Sequence, residues 1–361
     1  MQALFDSGKR VYSFSKLSTI ENCKYGAFLQ YVDHRRGDDS IYGILGGCVH
    51  DKLEDIMNGR ADAEDLKVAL TEDLLQMDML GLEFPKDFKG GNMIRDNWVN
   101  DMQHFVDHFE PPQGNFKTEE LLIYKVDDDH YLQGYADLVR YDSEDKSVQS
   151  ILDWKTSSMY DKAGFLEHGR QLVIYALAKE QQGIEINELA WIFLKYVTVT
   201  FQGRKRANSK NRTEIVKHIN RGKIIKELDK YIRDDLALVG YSGVDIDLIM
   251  YNAIENNSFD VLPEEVKVLY KFEPCVITYE LTDEIRQECV EYIRRVIKEF
   301  ESIDTHNSEL WEPREFHKTN KLGKQQEDTF FCNFLCNFRK SCEHLKEFHK
   351  QSEIDIEELL G

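Results

Sequence analysis

The sequence contains no long apolar run, and this absence excludes several classes of protein. No stretch of its 361 residues approaches the roughly 20 consecutive apolar residues that a membrane-spanning helix needs. Residues 1–17 mix charged and apolar side chains, so a secretory signal is not expected. Prolines number only six, and no repeat or low-complexity tract divides the chain. Since 42% of the residues are apolar, wholesale disorder is excluded. We expect a folded, water-soluble protein that makes no membrane contact.

Cysteine is also scarce, at seven residues, and the odd number argues against a disulfide framework. Without an export signal, the thiols are expected to remain reduced, and the protein is expected to be cytoplasmic. There, cysteines serve as core residues or as metal ligands. Cys48, Cys275 and Cys289 have no cysteine partners nearby in the sequence and are expected in the core.

Positive charge is in deficit overall, because the formal net charge is −20. A nucleic-acid ligand needs lysine and arginine to contact its phosphates, so the local distribution matters more than the sum. Residues 202–226 contain a single acid and nine basic residues: Arg204, Lys205, Arg206, Lys210, Arg212, Lys217, Arg221, Lys223 and Lys226. This basic segment is a candidate for following a phosphate backbone. The alternative is an ordinary solvated helix and loop.

The hydrophobic pattern predicts helices on both sides of a group of strands. Helical spacing of apolar residues predicts helices over 15–31, 49–56, 61–79, 93–109, 169–181, 246–256, 263–271 and 283–300. Short runs rich in β-branched and aromatic residues predict strands over 121–126, 131–141, 148–154, 189–201 and 276–281. The first three strands are expected to be successive and antiparallel. The fold class is therefore α/β, with a central sheet flanked by helices.

Two of these strands carry the residues that most strongly suggest chemistry. One contains Gly134-Tyr135-Ala136-Asp137 and the next contains Ile151-Leu152-Asp153-Trp154-Lys155. If the intervening turn is symmetric, Asp137 lies across from Asp153, with Cβ atoms roughly 4.5–5.5 Å apart. Two carboxylates at that distance repel each other unless a cation lies between them. Mg²⁺ prefers such oxygen ligands, so the pair predicts a divalent metal site.

The alternation of side chains along a strand places Lys155 on the same face as Asp153. Its ammonium can orient or help to deprotonate an attacking water, or stabilise the charge on a phosphodiester in its transition state. The alternative is a surface salt bridge between Asp153 and Lys155, with Asp137 unrelated to it.

These motifs resemble the RecB-type branch of the PD-(D/E)xK nucleases, which includes AddB-like, CRISPR-associated RecB-like and phage exonucleases. Upstream, Gly46-Gly47-Cys48-Val49-His50 with Glu54 is similar to the helix that carries a metal-binding histidine in that branch. Downstream, Gln171 and Tyr175 match its QxxxY motif and share one face of a helix. The resemblance implies a restriction-endonuclease-like mixed sheet. It also implies metal ligation by His50, Asp137 and Asp153, and positioning of DNA by Gln171 and Tyr175. Glu119 or Glu120 would supply a further acid, and the sequence does not choose between them.

The cysteines extend the resemblance. Cys332, Cys336 and Cys342 lie near the C-terminus, and Cys23 follows a Ser13-Phe14-Ser15 segment near the N-terminus. Iron–sulfur members of the branch bind a [4Fe–4S] cluster through one N-terminal and three C-terminal cysteines. Such a cluster would connect distant parts of the chain and close the fold. Zinc is the alternative, with His344 able to replace one thiolate, and free thiols are a third.

The implied organisation is a helical N-terminal part over 1–110, a nuclease core over 111–201, a basic segment with a helical insertion over 202–310, and a cysteine-cluster part over 311–361. The implied function is a Mg²⁺- or Mn²⁺-dependent exonuclease that acts on single-stranded DNA ends, in recombination, repair or phage DNA metabolism. The basic segment and the rings of Phe331, Phe334 and Phe338 would hold the strand, although these rings are as readily core residues. Alternatives are a non-catalytic module that binds DNA or a helicase or recombinase partner, and a nuclease that targets RNA or structured DNA.

Overall fold

A seven-stranded mixed sheet organises the chain. The computed structural model describes residues 8–87, 89–141, 146–203, 213–320 and 323–360, with side chains up to residue 351. The strands of the main sheet are β1 (Arg10–Ser13), β2 (Asn115–Lys125), β3 (His130–Tyr141), β4 (Val148–Lys155), β5 (Glu185–Gln202), β6 (Glu214–Asn220) and β7 (Tyr270–Tyr279). Two short strands, β8 (His317–Thr319) and β9 (Gln325–Glu327), pair separately.

Helices cover both faces of this sheet. They are α1 (Phe14–Asn22), α2 (Lys24–Ala27), α3 (Ile41–Met57), α4 (Ala63–Met79), α5 (Met93–Asp107), α6 (Lys162–Glu180), α7 (Ile224–Leu238), α8 (Gly243–Asn256), α9 (Glu264–Lys267), α10 (Asp283–Ser302) and α11 (Glu343–Leu360). The hydrophobic core on one face includes residues of α1, α6 and α10, and the core on the other includes residues of α3, α4 and α5. The predicted α/β class, a mixed sheet between helices, is confirmed. Within the described ranges no helix combines the length and the apolar character needed to span a bilayer.

The strand order creates a fork at the centre of the sheet. On one edge of β3, β2 runs antiparallel along nearly the whole strand. On the other edge, β1 pairs with His130–Gln133 in parallel and β4 pairs with Leu138–Tyr141 in antiparallel fashion. On this edge of β3, residues 134–137 therefore lie between the stretch paired with β1 and the stretch paired with β4. We call this place, where β4 separates from β3, the fork. Helix α6 then returns the chain to β5, which pairs in parallel with β4.

A third core lies around the C-terminal end of β5. There β6 and β7 flank Val197–Gln202, and α7 and α8 pack their apolar faces against the same strand. We call α7, α8 and α9 the helical lobe. A small fourth core contains Tyr25, Leu29, Trp311 and Phe338 beside the cysteines of both chain ends.

Several predicted elements are wrong in their extent, and for two of them the structure shows why. The helix expected over 15–31 breaks at Cys23, which adopts an extended conformation (φ −161°, ψ 99°) and separates α1 from α2. The helix expected over 263–271 ends at Lys267, because the chain from Tyr270 pairs with Phe201 and its neighbours on β5. The predicted strand over 276–281 overlaps β7 only over 276–279, because β7 begins at Tyr270 and ends at Tyr279. In both places a contact with a distant segment decides the conformation.

Six elements have no counterpart in the sequence-based prediction: β1, β6, α7, β8, β9 and α11. Strands β1 and β6 are short and border the sheet, and their residues show little apolar alternation. The basic segment contains β6 and the start of α7, whereas Arg204, Lys205, Arg206, Lys210 and Arg212 lie outside the described residues.

Candidate active site

The two predicted acids meet at the fork. Leu138 pairs with Leu152 and Val139 with Ile151, which is the register predicted from a symmetric turn. Asp137 and Asp153 follow one position beyond the last of these pairs, on adjacent strands. The Asp153 side chain is 2% exposed and that of Asp137 is 13% exposed. The structure thus places two carboxylates side by side in the interior.

Lys155 lies on the face of β4 that carries Asp153, as predicted, and its ammonium forms an ion pair with Oδ2 of Asp153. The Lys155 side chain is 18% exposed, so the pair is largely buried. Burial opposes the charge of Lys155, but the carboxylates of Asp153 and Asp137 outweigh that effect and raise the pKa of the ammonium. In this arrangement Lys155 is a fixed positive charge next to the acids.

Helix α6 supports the lysine from behind. Nζ of Lys155 donates a hydrogen bond to Oε1 of Gln171 at 3.2 Å. Nε2 of Gln171 in turn donates to the hydroxyl of Tyr175 at 3.0 Å, because the two residues are one helical turn apart. The QxxxY pair therefore continues the line of polar contacts from Asp153 into the core.

Gly134 makes room for this arrangement. A Cβ atom at position 134 would lie 2.5 Å from Cε1 of Tyr175, so only glycine lets the ring pack against β3. The sequence alone predicts no role for Gly134. A lone glycine inside a strand pattern is a signal of close approach by another group, and it could have identified the contact.

Helix α3 brings His50 to the fork from the opposite side. Nδ1 of His50 lies 3.4 Å from Oδ2 of Asp137, and the same oxygen accepts a hydrogen bond from the backbone N–H of Trp154 at 2.8 Å. The helix approaches the end of β4 closely, since a Cβ at Gly46 would be 3.1 Å from Oγ1 of Thr156. Burial lowers the pKa of His50, which favours the neutral imidazole that metals bind.

The structure distinguishes Glu119 from Glu120. Glu120 forms ion pairs with Lys179 at 2.6 Å and with Lys117 at 2.7 Å. Glu119 has a left-handed backbone (φ 46°). Its neighbours Thr118 and Glu120 pair with Leu138 and Ala136 of β3, so Glu119 lies opposite Asp137. Burial, and then the neighbouring acids Glu54, Asp51 and Asp153, raise the pKa of Glu119. Of the two glutamates, Glu119 is therefore the one that lies beside the aspartates of the fork.

The acids at the fork outnumber the nearby positive charges. Burial, and then the charges of Asp153 and Glu119, hold the pKa of Asp137 well above its usual range, although Lys155 acts in the other direction. Oδ2 of Asp153 is fully buried and, apart from its ion pair with Lys155, has no hydrogen bond of normal geometry. An added cation would relieve this repulsion and give that oxygen a partner.

The donors available at the fork are carboxylate oxygens and one imidazole nitrogen, a set that fits Mg²⁺ or Mn²⁺. Across the ranges the structure describes, no three His, Cys, Asp or Glu side chains already have the spacing of a metal site. Asp137 is turned toward the Trp154 N–H and Asp153 toward Lys155, so a metal would bind here only after these side chains rotate.

The four predicted cluster cysteines line one cavity. Cys23, Cys332, Cys336 and Cys342 surround a void of about 20 Å³ between α2 and the C-terminal segment. The Gly26 N–H donates to Sγ of Cys23 at 3.2 Å, and the Phe338 N–H donates to Sγ of Cys336 at 3.4 Å. Such N–H donors are the usual neighbours of metal-bound thiolates.

The buried thiols affect one another electrostatically. Burial, and then the neighbouring Cys336 and Cys23, raise the pKa of Cys332 to about 12, whereas Arg314 acts to lower it. All seven cysteines are free thiols. Cys275 and Cys289 are buried as expected, whereas Cys48 is only partly buried.

The residues predicted to hold DNA differ in their exposure to solvent. Arg221 is 8% exposed, and its Nε donates to the carbonyl of Tyr196 at 3.1 Å, so it is an interior residue. Phe338 is 4% exposed and belongs to the core, as the alternative interpretation held. Phe334, at 38% exposed, remains accessible to a ligand.

Comparison with known families gives a result that agrees with this geometry. The family model described as PD-(D/E)XK nuclease superfamily matches residues 11–343. The chain belongs to this superfamily. Its members are generally nucleases, and the mixed sheet between helices fits their fold. The match includes the fork, helix α6 and the C-terminal cysteines. No curated protein gives a significant match to the chain.

Proposed function

We propose that the protein is a metal-dependent DNA exonuclease of the RecB-type branch of its superfamily. The observation that carries the proposal is the fork, which brings Asp137, Asp153 and Lys155 together with Gln171 and Tyr175 behind the lysine. A structural hairpin has no need for two buried carboxylates on adjacent strands.

The residues that would hold Mg²⁺ or Mn²⁺ are Asp137, Asp153 and His50, with Glu119 next to them. Such an ion lowers the pKa of bound water and neutralises charge on a phosphodiester. Lys155 is placed to orient the attacking water or to stabilise the developing negative charge. Gln171 keeps the ammonium in position through its hydrogen bond, and Tyr175 holds Gln171.

We further propose that Cys23, Cys332, Cys336 and Cys342 bind a [4Fe–4S] cluster, with zinc as the second candidate. The support is the common cavity and the backbone donors to sulfur. The cluster would fasten the C-terminal segment to α2. Visible absorbance of anaerobically purified protein, together with iron and zinc analysis, tests the assignment.

The preferred substrate is proposed to be single-stranded DNA with a free end. Phe334 offers an exposed ring, and Lys217, Lys223 and Lys226 remain as charged groups of the basic segment. Action alongside a helicase or recombinase also belongs to the proposal. A second candidate, a non-catalytic module that binds DNA or such a partner, predicts binding that survives the loss of Asp137 and Asp153.

The test incubates the protein and Mg²⁺ or Mn²⁺ with three substrates of one sequence: linear single-stranded DNA, its circular form, and linear RNA. We expect cleavage of the linear DNA only, and loss of cleavage in Asp153→Asn and in Lys155→Ala. Glu255→Gln, at an exposed acid on α8, is the matched control and should cleave normally. Cleavage of the circle would refute end-dependence, and cleavage of RNA would change the substrate. Equal cleavage by the Asp153 variant would refute the proposed site.

A further inference from the structure

A large cavity lies between the nuclease core and the helical lobe, on the opposite face of the sheet from Asp153 and Lys155. Its volume is about 530 Å³, within the size range of small-molecule sites. The Trp154 side chain lines it, whereas Lys155, the next residue, is directed to Gln171 on α6. The cavity is therefore separate from the candidate active site.

Aromatic rings from several elements line the cavity. They include Phe105, Phe109, Phe116, Trp154, Phe259 and Phe272. Phe272 is 39% exposed and is accessible from solvent, whereas Phe105 and Trp154 are buried. Flat rings that line a cavity from several elements favour a flat aromatic ligand, because stacked and edge-to-face contacts add to the burial of apolar area.

One buried cation lines the same cavity without an ionic partner. Arg221 is 8% exposed, and its Nε donates to the Tyr196 carbonyl. Within the described ranges no carboxylate forms a salt bridge with its guanidinium. The nearby Asp101 accepts instead from the Gly222 N–H at 2.8 Å and from Asn220 at 3.0 Å. The Phe105 ring lies 5.5 Å from the guanidinium carbon of Arg221, and an anion in the cavity would give the guanidinium a charged partner as well.

The other polar groups limit the charge that the ligand can carry. The buried Nδ1 of His104 has no hydrogen-bond partner and belongs to a residue that lines the cavity. Glu110 and Asp260 also line it and would repel a polyanion, whereas Glu188 is paired with Arg140 at 2.7 Å and Glu273 with Lys271 at 2.8 Å. One anionic group, close to Arg221, is the charge that these surroundings accept.

We propose that this cavity binds a planar aromatic ligand with a single acidic group, a phosphate or a carboxylate. The ring would lie among the phenylalanines and Trp154, and the acidic group would meet Arg221. A nucleoside monophosphate and an aromatic carboxylate share this chemistry. The proposal does not depend on nuclease activity.

The experiment is calorimetric titration of the full-length protein in EDTA, so that no metal at the fork captures the phosphate. The probes are deoxyadenosine monophosphate, deoxyadenosine, and naphthalene-2-carboxylate. We expect the monophosphate, the carboxylate or both to bind, and deoxyadenosine to bind at least about tenfold more weakly than its monophosphate if the latter binds. Phe272→Ala should weaken binding about tenfold, whereas Tyr251→Ala, at an exposed ring of α8 outside the cavity, should not.

Arg221→Gln should remove the preference for the charged probe over the uncharged one. Because Arg221 is 8% exposed, its replacement also affects folding. The Phe272 variant and the comparison of probes with the wild-type protein therefore test the proposal independently. Absence of binding by both charged probes would overturn the proposal, as would affinity unchanged by Phe272→Ala. Loss of binding in Asp153→Asn would also overturn it, because the fork would then be the binding site.

Discussion

Glu119 and Glu120 are neighbours in the chain, but their surroundings predict opposite effects of the same substitution. Lys179 is 2% exposed and lies 2.6 Å from Glu120. Glu120→Gln leaves that ammonium buried without its counter-charge, a change that costs ~3–5 kcal/mol in buried pairs. Because Glu120 is 16% exposed and glutamine keeps an acceptor, we expect the lower end, about 3 kcal/mol.

Glu119→Gln should behave differently. In the described part of the chain Glu119 has no basic partner, and its nearest charges are the acids Glu54, Asp51 and Asp153. Neutralising it removes repulsion, so the free energy of unfolding in EDTA should stay the same or rise. Cleavage with Mn²⁺ should fall, because an acid at the fork is lost.

Urea unfolding and DNA cleavage at a temperature where both variants are folded separate the two effects. We expect Glu120→Gln to lose stability without losing cleavage. We expect Glu119→Gln to lose cleavage without losing stability. If Glu120→Gln abolishes cleavage at unchanged stability, the assignment of the two side chains is wrong.

Three further outcomes are expected. Gly134→Ala should lower stability by ~1–3 kcal/mol and reduce cleavage, because the new Cβ would lie 2.5 Å from the Tyr175 ring; unchanged urea unfolding would contradict this. Cys23→Ser should lose the proposed cluster, measured as iron or zinc per chain, whereas Cys48→Ser should retain it. Full metal content in the first variant would exclude Cys23 as a ligand. Burial, then His108 and Arg221, lower the pKa of His104 to about 4. The unfolded chain therefore binds more protons between about pH 6.5 and 4, so stability falls as pH falls through that window, and His104→Phe should flatten the fall measured by thermal unfolding.

The hairpin at the centre of the site could be predicted because its information is local. Alternation along β4 places Lys155 with Asp153, and a symmetric turn sets the register that brings Asp137 opposite. The spacing of Gln171 and Tyr175 likewise fixes a shared helical face. Each of these depends on a few neighbouring residues and on ideal backbone geometry.

The remaining features depend on contacts that the local sequence does not reveal. The sequence alone does not distinguish Glu119 from Glu120. Only the left-handed backbone at Glu119 and the buried Lys179 beside Glu120 show that their surroundings differ. The break at Cys23 accompanies packing of α2 against the C-terminal segment, and the early start of β7 follows from pairing with β5. Arg221 was expected on the surface by composition, yet tertiary packing places it in the interior.

The proposed function depends on one divalent ion that Asp137 and Asp153 bind together beside Lys155. Titration of Mn²⁺ followed by electron paramagnetic resonance measures this binding directly, without DNA. We expect at least one bound Mn²⁺ per wild-type chain, and loss of that ion in both Asp137→Asn and Asp153→Asn, with folding verified by circular dichroism. Mn²⁺ binding that is equally tight in either folded variant would contradict the claim.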